Sequence, residues 1–415
     1  MTRLLPAQYR WVRMDFTEWQ HFNLGSLFTV PADLTAGVVA RAVQRVLDRN
    51  PALRTAYRPG PDGWTAEERE ISAAMVIRAA ELPDYRGRAD ALGEEIARLQ
   101  STLRPEEGEV FRVVHFPFGD EPGRLLATVH HLTLDGFSMG LVGSELDRAL
   151  RDRSSVPPGA TPADYVHAVE KWAAGQEAEA DAGRWLDRPW DRVGDPPPDL
   201  TGDATLPTMR IDSASLEADR TAALTAACRA RGLRPGDVLL DAAAQAVLAR
   251  WDLPAVAVDS YHIGRHLTPA GIDVIDTVGY LQNTFPIVFS ARRGFDPADL
   301  AAVPDRMFGF DALRFFSGRL ADVPSTALRY NFRGHMGRLD SRPGLLLGEA
   351  GEPIRRRRAQ GQTECYRLML EGDVIDGSLV LHIKYSTGQY RPETVAGLLG
   401  DALDRVRTTT GELSC

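Results

Sequence analysis

The stretch HHLTLDGFSMG, residues 130–140, joins two different hydrophobic patterns. The run before it, GRLLATV at 123–129, is rich in apolar and β-branched residues and predicts a strand that ends near His131. Apolar residues then recur at spacings of about three and four, which is typical of an amphipathic helix: Phe137, Leu141, Val142, Leu146, Ala149 and Leu150. Asp135 and Gly136 mark the N-terminal boundary of that helix. A strand, a turn and a helix in this order favour a mixed α/β fold.

The residues before the opening stretch also predict a mixture of helices and strands. Residues 34–48 place apolar side chains at helical spacing, and Asn50-Pro51 ends this helix before an extended segment. VFRVVHFPFG at 110–119 and GRLLATVHH at 123–131 are two short strands separated by the turn-forming GDEPG. We therefore expect a hairpin or two neighbouring strands just before the opening stretch.

The length of 415 residues favours two domains, because one hydrophobic core seldom organises so long a chain. A helical segment over about 162–186 runs into a stretch rich in proline, glycine and aspartate. We predict an N-terminal lobe at 1–187, a linker at 188–207 and a C-terminal lobe at 208–415. The C-terminal lobe is also mixed α/β, with helices over about 215–231 and 237–250 and strands in AVAVDSYHI, NTFPIVF and GSLVLHIKYS.

Composition narrows the class of partner. The chain is 44% hydrophobic and carries a formal net charge of −9, which argues against binding to nucleic acid or to an anionic membrane surface. The three cysteines, Cys228, Cys365 and Cys415, lie far apart and predict neither a disulfide framework nor a zinc site. No signal peptide and no apolar stretch of about 18 residues is visible, so a cytoplasmic location is expected.

Two enzyme signatures overlap in the opening stretch. Residues 136–140, GFSMG, fit the G-x-S-x-G nucleophile elbow of α/β-hydrolases, with Ser138 as the nucleophile. An elbow needs its serine between strand and helix, whereas the predicted strand end at His131 leaves Ser138 inside the first helical turns. The HGGG oxyanion segment is also absent. The hydrolase interpretation is therefore disfavoured.

The second signature is H-H-x-x-x-D-G. Adjacent side chains on a strand point to opposite faces, so one histidine of the pair faces a cleft and the other supports it. A histidine suits proton transfer at neutral pH, whereas Asp135 is better placed to hold the turn through backbone N–H groups or an arginine. The Gly136 N–H could face a developing oxyanion. A strand-end histidine is equally common as a hydrogen-bonded core residue, so this pattern alone leaves both interpretations open.

Metal binding is a weaker alternative. His131 and Asp135 are four residues apart, and so are His262 and His266, but neither pair lies on the helical face that this spacing requires. We predict no metal site.

Along its length the chain resembles the condensation domains of nonribosomal peptide synthetases, members of the chloramphenicol acetyltransferase-like superfamily. The segments that carry the resemblance occur in the order of the family: LLPAQYRWV, RNPALRTAY, VHHLTLDGFSMGLVGSEL, ADYVHAVEKW, YHIGRHL with DTVGYLQNTFPIVF, and RYNFRGHMG with DGSLVLHIKYSTGQY. They run from about residue 4 to 410. The accidental G-x-S-x-G is explained, because the family motif has a serine two residues after its glycine.

The resemblance implies a fold, partners and roles for residues. The fold is two chloramphenicol acetyltransferase-like α/β sandwich lobes in a V-shaped pseudo-dimer, with a channel entered by the 4'-phosphopantetheine arm of a carrier protein. His131 is implied as the catalytic histidine, supported by His130 and Asp135, and Gly136 is expected to line the channel. The remaining residues of interest are Ser138 beside the motif, Arg265 or Arg54 as the ion-pair partner of Asp135, and Asn283 with Thr284 closing the channel from the second lobe.

The departures from related subfamilies refine this prediction. The glutamate of epimerization domains is missing from DSYHIGRHL, and the double histidine that cyclization and recruitment-only relatives lose is intact. We expect a free-standing condensation enzyme that receives an acyl or aminoacyl group in trans from an acyl- or peptidyl-carrier protein. The acceptor, a small molecule or a second carrier-bound group, supplies an amine or hydroxyl. No cofactor of its own is expected. The alternatives are a coenzyme A-dependent acyltransferase of the same superfamily and a non-catalytic recruitment module.

One basic tract stands apart from these motifs. Residues 355–358 are four consecutive arginines in GEPIRRRRAQGQ. A run of this kind is most often a solvated loop, and the functional alternative is a docking site for an acidic carrier protein.

Overall fold

The computed structural model describes residues 3–14, 16–61, 63–79, 89–153, 159–269, 271–304, 307–335, 348–352, 354 and 356–414. By internal contacts the chain divides into two compact units. Unit 1 comprises Met1–Trp172, Ile263–Gln282 and Leu339–Gln362. Unit 2 comprises Ala173–His262, Asn283–Arg338 and Thr363–Cys415.

Helices and strands are interspersed along the described part of the chain. In the first half they are α1 (Pro6–Val12), β1 (Asn23–Val30), α2 (Ala36–Arg49), β2 (Thr55–Gly60), β3 (Gly63–Glu68), α3 (Ala73–Val76), β4 (Ile77–Ala79), α4 (Ala89–Gln100), β5 (Phe111–Phe118), β6 (Glu121–His130), α5 (Gly136–Leu150), α6 (Pro162–Ala173) and α7 (Gln176–Leu186). In the second half they are β7 (Met209–Leu216), α8 (Ala218–Ala230), α9 (Pro235–Trp251), β8 (Ala255–His262), β9 (Asn283–Ser290), α10 (Ala298–Ala301), α11 (Gly309–Phe315), β10 (Leu328–His335), β11 (Gly348–Glu349), β12 (Leu368–Ile375), β13 (Ser378–Ser386) and α12 (Pro392–Ser414).

Unit 1 is built on a five-stranded sheet in the order β11-β1-β6-β5-β4. Strands β5 and β6 form an antiparallel hairpin, one of the two predicted arrangements, and β1 pairs with the other side of β6. The register places Asn23, the first residue of β1, opposite His130, the last residue of β6. The opening motif therefore begins where the central strand of the sheet ends.

Both faces of this sheet are covered, which explains the continuous apolar runs of β5 and β6. On one face α2 and α5 pack against alternate residues of the strands: Val39, Val43, Val46, Met139, Val142, Leu146, Phe111, Val113, Leu125, Ala127 and Val129. On the other face α4 packs against the residues between them: Leu92, Ile96, Leu99, Val114, Phe116 and Leu126. The alternation carries into the motif, so His130 and His131 start from opposite faces.

Unit 2 is built on a six-stranded sheet in the order β7-β13-β12-β10-β8-β9. Strand β10 runs parallel to both β12 and β8, and the other pairs are antiparallel. Helix α9 is buried over most of its length, as its alanine-rich sequence predicts, and it packs with α12 and the sheet. Both units are thus mixed α/β, in agreement with the predicted fold class.

The division of the chain differs from the predicted lobes in two ways. Residues 188–207 are not a loose connection, because Gly194, Leu200 and Gly202 donate backbone hydrogen bonds to residues of unit 2. In addition, two later segments, Ile263–Gln282 and Leu339–Gln362, belong to unit 1. Local sequence patterns do not show that these two segments belong to unit 1, because their place depends on contacts between distant residues. The V-shaped arrangement stays a prediction.

Smaller differences concern single elements. The predicted helix over 162–186 is two helices, α6 and α7, interrupted at Ala174 and Gly175. Within the described part of the chain, none of the helices is long and apolar enough to cross a membrane. Of the cysteines, Cys228 is buried and Cys365 is exposed, and Cys415 lies outside the described residues.

Candidate active site

His130 is a buried, hydrogen-bonded side chain. The Leu132 N–H donates to its Nδ1 at 3.2 Å, which leaves the proton on Nε2, and Nε2–H donates to the Trp19 carbonyl at 2.8 Å. The indole rings of Trp11 and Trp19 contact it edge-on, at centroid distances of 5.5 and 5.6 Å. Burial lowers the pKa of His130 to about 3. His130 is therefore a neutral support for the turn.

His131 is only partly buried and lies beside two aromatic rings. Its backbone N–H donates to the Phe22 carbonyl at 2.7 Å, and the Phe22 and Tyr280 rings lie 5.4 and 5.2 Å from the imidazole, centroid to centroid. Its Nδ1 is buried, so Nε2 is the nitrogen that can meet a substrate. Burial lowers the pKa of His131 to about 4, which keeps the imidazole neutral at neutral pH.

The Asp135 carboxylate is fully occupied by five hydrogen bonds. As the N-cap of α5 it accepts from the Ser138 N–H at 2.8 Å. It also accepts from two guanidinium nitrogens of Arg265, at 3.0 and 3.2 Å, and from the N–H groups of Leu281 and Gln282, both at 2.9 Å. A carboxylate used in this way holds the turn and is not available as a base, as the sequence suggested.

Ser138 belongs to the same buried network. Its hydroxyl donates to the Gly279 carbonyl at 2.8 Å and accepts from the Gly279 N–H at 3.0 Å and from Arg265 at 2.7 Å. The side chain is completely buried. A hydroxyl with these bonds is not a free nucleophile, so the structure offers no support for the hydrolase elbow.

Gly136 faces open space. It is the first residue of α5, it is exposed, and a Cβ atom added there would meet no described atom within 4 Å. The N–H groups at a helix start have no partner within the helix, and the helix dipole favours negative charge there. This end of α5 is therefore suited to receive an oxyanion.

The remaining predicted residues differ in how the structure bears on their predicted roles. Arg265 is the ion-pair partner of Asp135, whereas Arg54 pairs with Glu68 and donates to the Leu47 carbonyl. Asn283 and Thr284 begin β9 in unit 2. Their predicted place in a channel stays a prediction.

Gln8 is a positioning residue that the sequence interpretation missed. Its side-chain amide donates to the Leu132 carbonyl at 2.7 Å and to the Tyr57 hydroxyl at 3.1 Å. It thereby ties α1 to the residue that follows His131. A buried glutamine within LLPAQYRWV was the available signal, but the sequence does not show what it contacts.

The arginine tract does not form one uniform surface. Arg355 lies outside the described residues. Arg356 pairs with Glu94 at 2.9 Å on the exposed side of α4, whereas the guanidinium carbon of Arg358 lies 4.0 Å from the centroid of the Phe22 ring. Neither interpretation of the tract, solvated loop or carrier docking, predicted the Arg358 contact. No cluster of three or more potential metal ligands occurs within the described ranges.

Comparison with known proteins decides the family. The family model described as Condensation domain matches residues 1–302. The chain belongs to the condensation-domain family. This confirms the resemblance that the sequence motifs predicted. Chondramide synthase cmdD of Chondromyces crocatus is 29% identical to this condensation domain over 434 aligned residues, which cover 98% of the chain and 11% of the synthase. A linear gramicidin synthase protein of Brevibacillus parabrevis is 26% identical, over 95% of the chain and 8% of that protein.

Among solved structures, the epimerization domain from the third module of tyrocidine synthetase B is similar to this condensation domain, with a TM-score of 0.82. The likeness covers 99% of the chain and 96% of that domain at 19% identity, so it concerns the fold alone. The chain spans about a tenth of the length of the curated relatives named above.

Proposed function

We propose that this condensation domain transfers an acyl or aminoacyl group from a carrier-protein thioester to an amine or hydroxyl acceptor. Condensation domains are acyl-transferring enzymes, and those of nonribosomal peptide synthetases work with carrier proteins. The observation that carries the proposal is the neutral, partly exposed His131, held at a strand end beside the open N-terminus of α5.

The reaction needs one bond made and one broken. The acceptor nitrogen or oxygen attacks the thioester carbonyl carbon, forming an amide or ester, and the C–S bond breaks to release the phosphopantetheine thiol, which ends with the proton that the acceptor loses. His131 accepts a hydrogen bond from the attacking N–H or O–H through Nε2. A pKa of about 4 makes the ring a weak base, which favours orientation of the acceptor over complete removal of its proton.

Negative charge develops on the thioester carbonyl oxygen during the attack. The N–H of Gly136, at the start of α5, offers a donor and the positive end of a helix dipole for that oxygen. The network of Asp135, Arg265 and Ser138 keeps this helix start in place. Most of the acceleration then comes from alignment of two bound reactants, with a smaller part from the histidine.

We further propose that the carrier acts in trans and that the domain needs no cofactor of its own. The alternative is a coenzyme A-dependent acyltransferase. It would perform the same acyl transfer with His131, but from a coenzyme A thioester that is not attached to a carrier protein. A recruitment module is disfavoured because both histidines are present and held in defined positions.

Intact-protein mass spectrometry tests the proposal. A panel of acyl-loaded carrier proteins is incubated with the protein and a set of amines and alcohols, and matched acyl-coenzyme A donors are run in parallel. Loss of the acyl group from a carrier with formation of a condensed product supports the proposal. Turnover of coenzyme A thioesters alone moves the protein to the alternative, and no transfer from either donor contradicts both enzymatic functions.

A further inference from the structure

The backbone around Arg358 is fixed against the residues that precede β1. Arg358 and Phe22 form an antiparallel bridge. On either side, the Asn23 N–H donates to the Arg357 carbonyl at 2.7 Å, and the Ala359 N–H donates to the His21 carbonyl at 3.0 Å. Both strands of this small ladder belong to unit 1. This pairing fixes the backbone from which the Arg358 side chain extends.

The Phe22 ring contacts both Arg358 and His131. The guanidinium carbon of Arg358 is 4.0 Å from the centre of the Phe22 ring, a close cation–π geometry. The Phe22 ring in turn meets the imidazole of His131 edge to face, at 5.4 Å, and the Phe22 carbonyl accepts the His131 N–H. Phe22 is 5% exposed, so it has little freedom to move away.

We propose that Arg358 is a positioning residue for His131: it holds the Phe22 ring against the imidazole and fixes a positive charge near it. The inference rests on the proposed function for its meaning in catalysis, since a neutral and oriented imidazole is what the acceptor needs. The effect of Arg358 on the His131 ring does not depend on a substrate and can be measured in the protein alone.

The charges around the ring agree with this role. The charged and titratable groups that face the imidazole or its immediate support are Asp135, Tyr280, His130, His21 and Arg358. Burial has the largest effect on the pKa of His131 and lowers it, and the charge of Arg358 acts in the same direction. Asp135 opposes them, but its carboxylate is paired with Arg265. Loss of the Arg358 charge therefore raises the pKa of His131.

Arg356 provides a matched control from the same tract. It is two residues earlier, its side chain is about half exposed, and its guanidinium pairs with Glu94 of α4 at 2.9 Å. Its replacement by methionine removes one positive charge of the tract without touching the Phe22 ring.

The test is an NMR titration of His131 in protein labelled with ¹³C at the histidine rings, with the signal assigned by its loss in His131→Ala. In Arg358→Met the titration midpoint of His131 is expected to rise by roughly 0.5–1 pH unit, as is usual for the loss of a nearby like charge. Arg358→Lys keeps the charge and is expected to restore most of the original midpoint. Arg356→Met is expected to leave it unchanged. An unchanged midpoint in Arg358→Met, or the same rise in Arg356→Met, overturns the inference.

Kinetics with a donor identified as above give a second readout. Arg358→Met is expected to lower kcat several-fold with little change in KM, and to move the acidic limb of the kcat profile to higher pH. If the wild-type protein transfers no acyl group, the proposed function fails, but the NMR titration still decides the role of Arg358. If transfer occurs and both the limb and the His131 midpoint stay in place, Arg358 has no part in positioning.

Discussion

Asp135 and Arg265 lie 130 residues apart in sequence, yet their side chains form a buried two-pronged ion pair at 3.0 and 3.2 Å. The carboxylate caps α5, and the guanidinium also donates to the Ser138 hydroxyl and to the Ile263 carbonyl. This pair attaches the returning segment Ile263–Gln282 to the turn that follows His131. The precision of the candidate site therefore depends on a side chain far from the motif.

Removal of Arg265 should destabilise unit 1 strongly. Arg265→Met leaves the Asp135 carboxylate buried without its cation, and loss of one partner of such a pair costs about 3–5 kcal/mol. Urea denaturation should show a lower midpoint with a similar slope.

The double variant Asp135→Asn/Arg265→Met measures the interaction between the two side chains. Because no unpaired charge remains, it should lose less stability than the sum of the two single variants. Arg54→Gln, which breaks the pair with the half-exposed Glu68, should cost only about 0–1 kcal/mol. Equal losses in Arg54→Gln and Arg265→Met would contradict the central place of the Asp135–Arg265 pair.

Gly136 should tolerate a side chain structurally but not functionally. A Cβ atom there meets no described atom, so Gly136→Ala should leave the free energy of unfolding unchanged or slightly higher. The added methyl group occupies the open space in front of the helix start, and acyl transfer should fall about 10-fold or more, the cost of one misaligned contact.

Gly140 is the matched position, exposed on the same helix and equally free of neighbours. Gly140→Ala should therefore keep full activity, as measured by single-turnover transfer. If Gly136→Ala is as active as Gly140→Ala, the space in front of Gly136 is not where the thioester binds.

Stability should fall in mild acid because of His130. Its pKa is lowered to about 3 in the folded protein, against about 6.5 when unfolded. Between these values the unfolded chain binds the proton and the folded protein does not, so the free energy of unfolding decreases as the pH falls from about 6.5 towards 3.

The slope of the free energy of unfolding against pH reports the number of protons taken up on unfolding. His130→Gln should lower that number by up to about one, as measured by urea denaturation at several pH values. His131, with a pKa of about 4, and His21 and His115, whose pKa values are also lowered, contribute with the same sign in both proteins, so only the difference between the two slopes reports on His130. An identical slope in variant and wild type would mean that His130 becomes protonated in the folded protein.

Ser138 should matter for stability and not as a nucleophile. Ser138→Ala leaves the Gly279 N–H without its acceptor and removes the shortest of three hydrogen bonds from one Arg265 nitrogen, which should cost about 1–3 kcal/mol. Below its unfolding temperature the variant should still transfer acyl groups, and the wild type should not be labelled by a fluorophosphonate at this serine. Covalent labelling of Ser138 would revive the hydrolase interpretation.

Local patterns were sufficient for the elements around the motif. The β6 strand, the Asp135 cap and α5 follow from short-range hydrophobic spacing and from the preference of aspartate for helix starts, and all three are present. The sequence also predicted an arginine partner for Asp135, but it left Arg265 and Arg54 as alternatives, because only tertiary contacts distinguish them.

The contacts that complete the site come from distant segments. Gln8 reaches the Leu132 carbonyl across 124 residues, and Arg358 reaches the Phe22 ring from a segment that returns late in the chain. No periodicity marks such contacts, since each depends on one side chain and not on a repeated pattern. For the same reason the units could not be delimited from the proline-rich stretch at 188–207.

The most direct test of the account is the single-turnover rate of acyl transfer from a loaded carrier protein by His131→Ala, with its unfolding midpoint measured in parallel. We predict a rate about 10²–10⁴-fold below wild type, the usual contribution of a positioned acid–base group, with an unchanged midpoint. A rate equal to wild type in the folded variant would contradict the account and remove His131 from the mechanism.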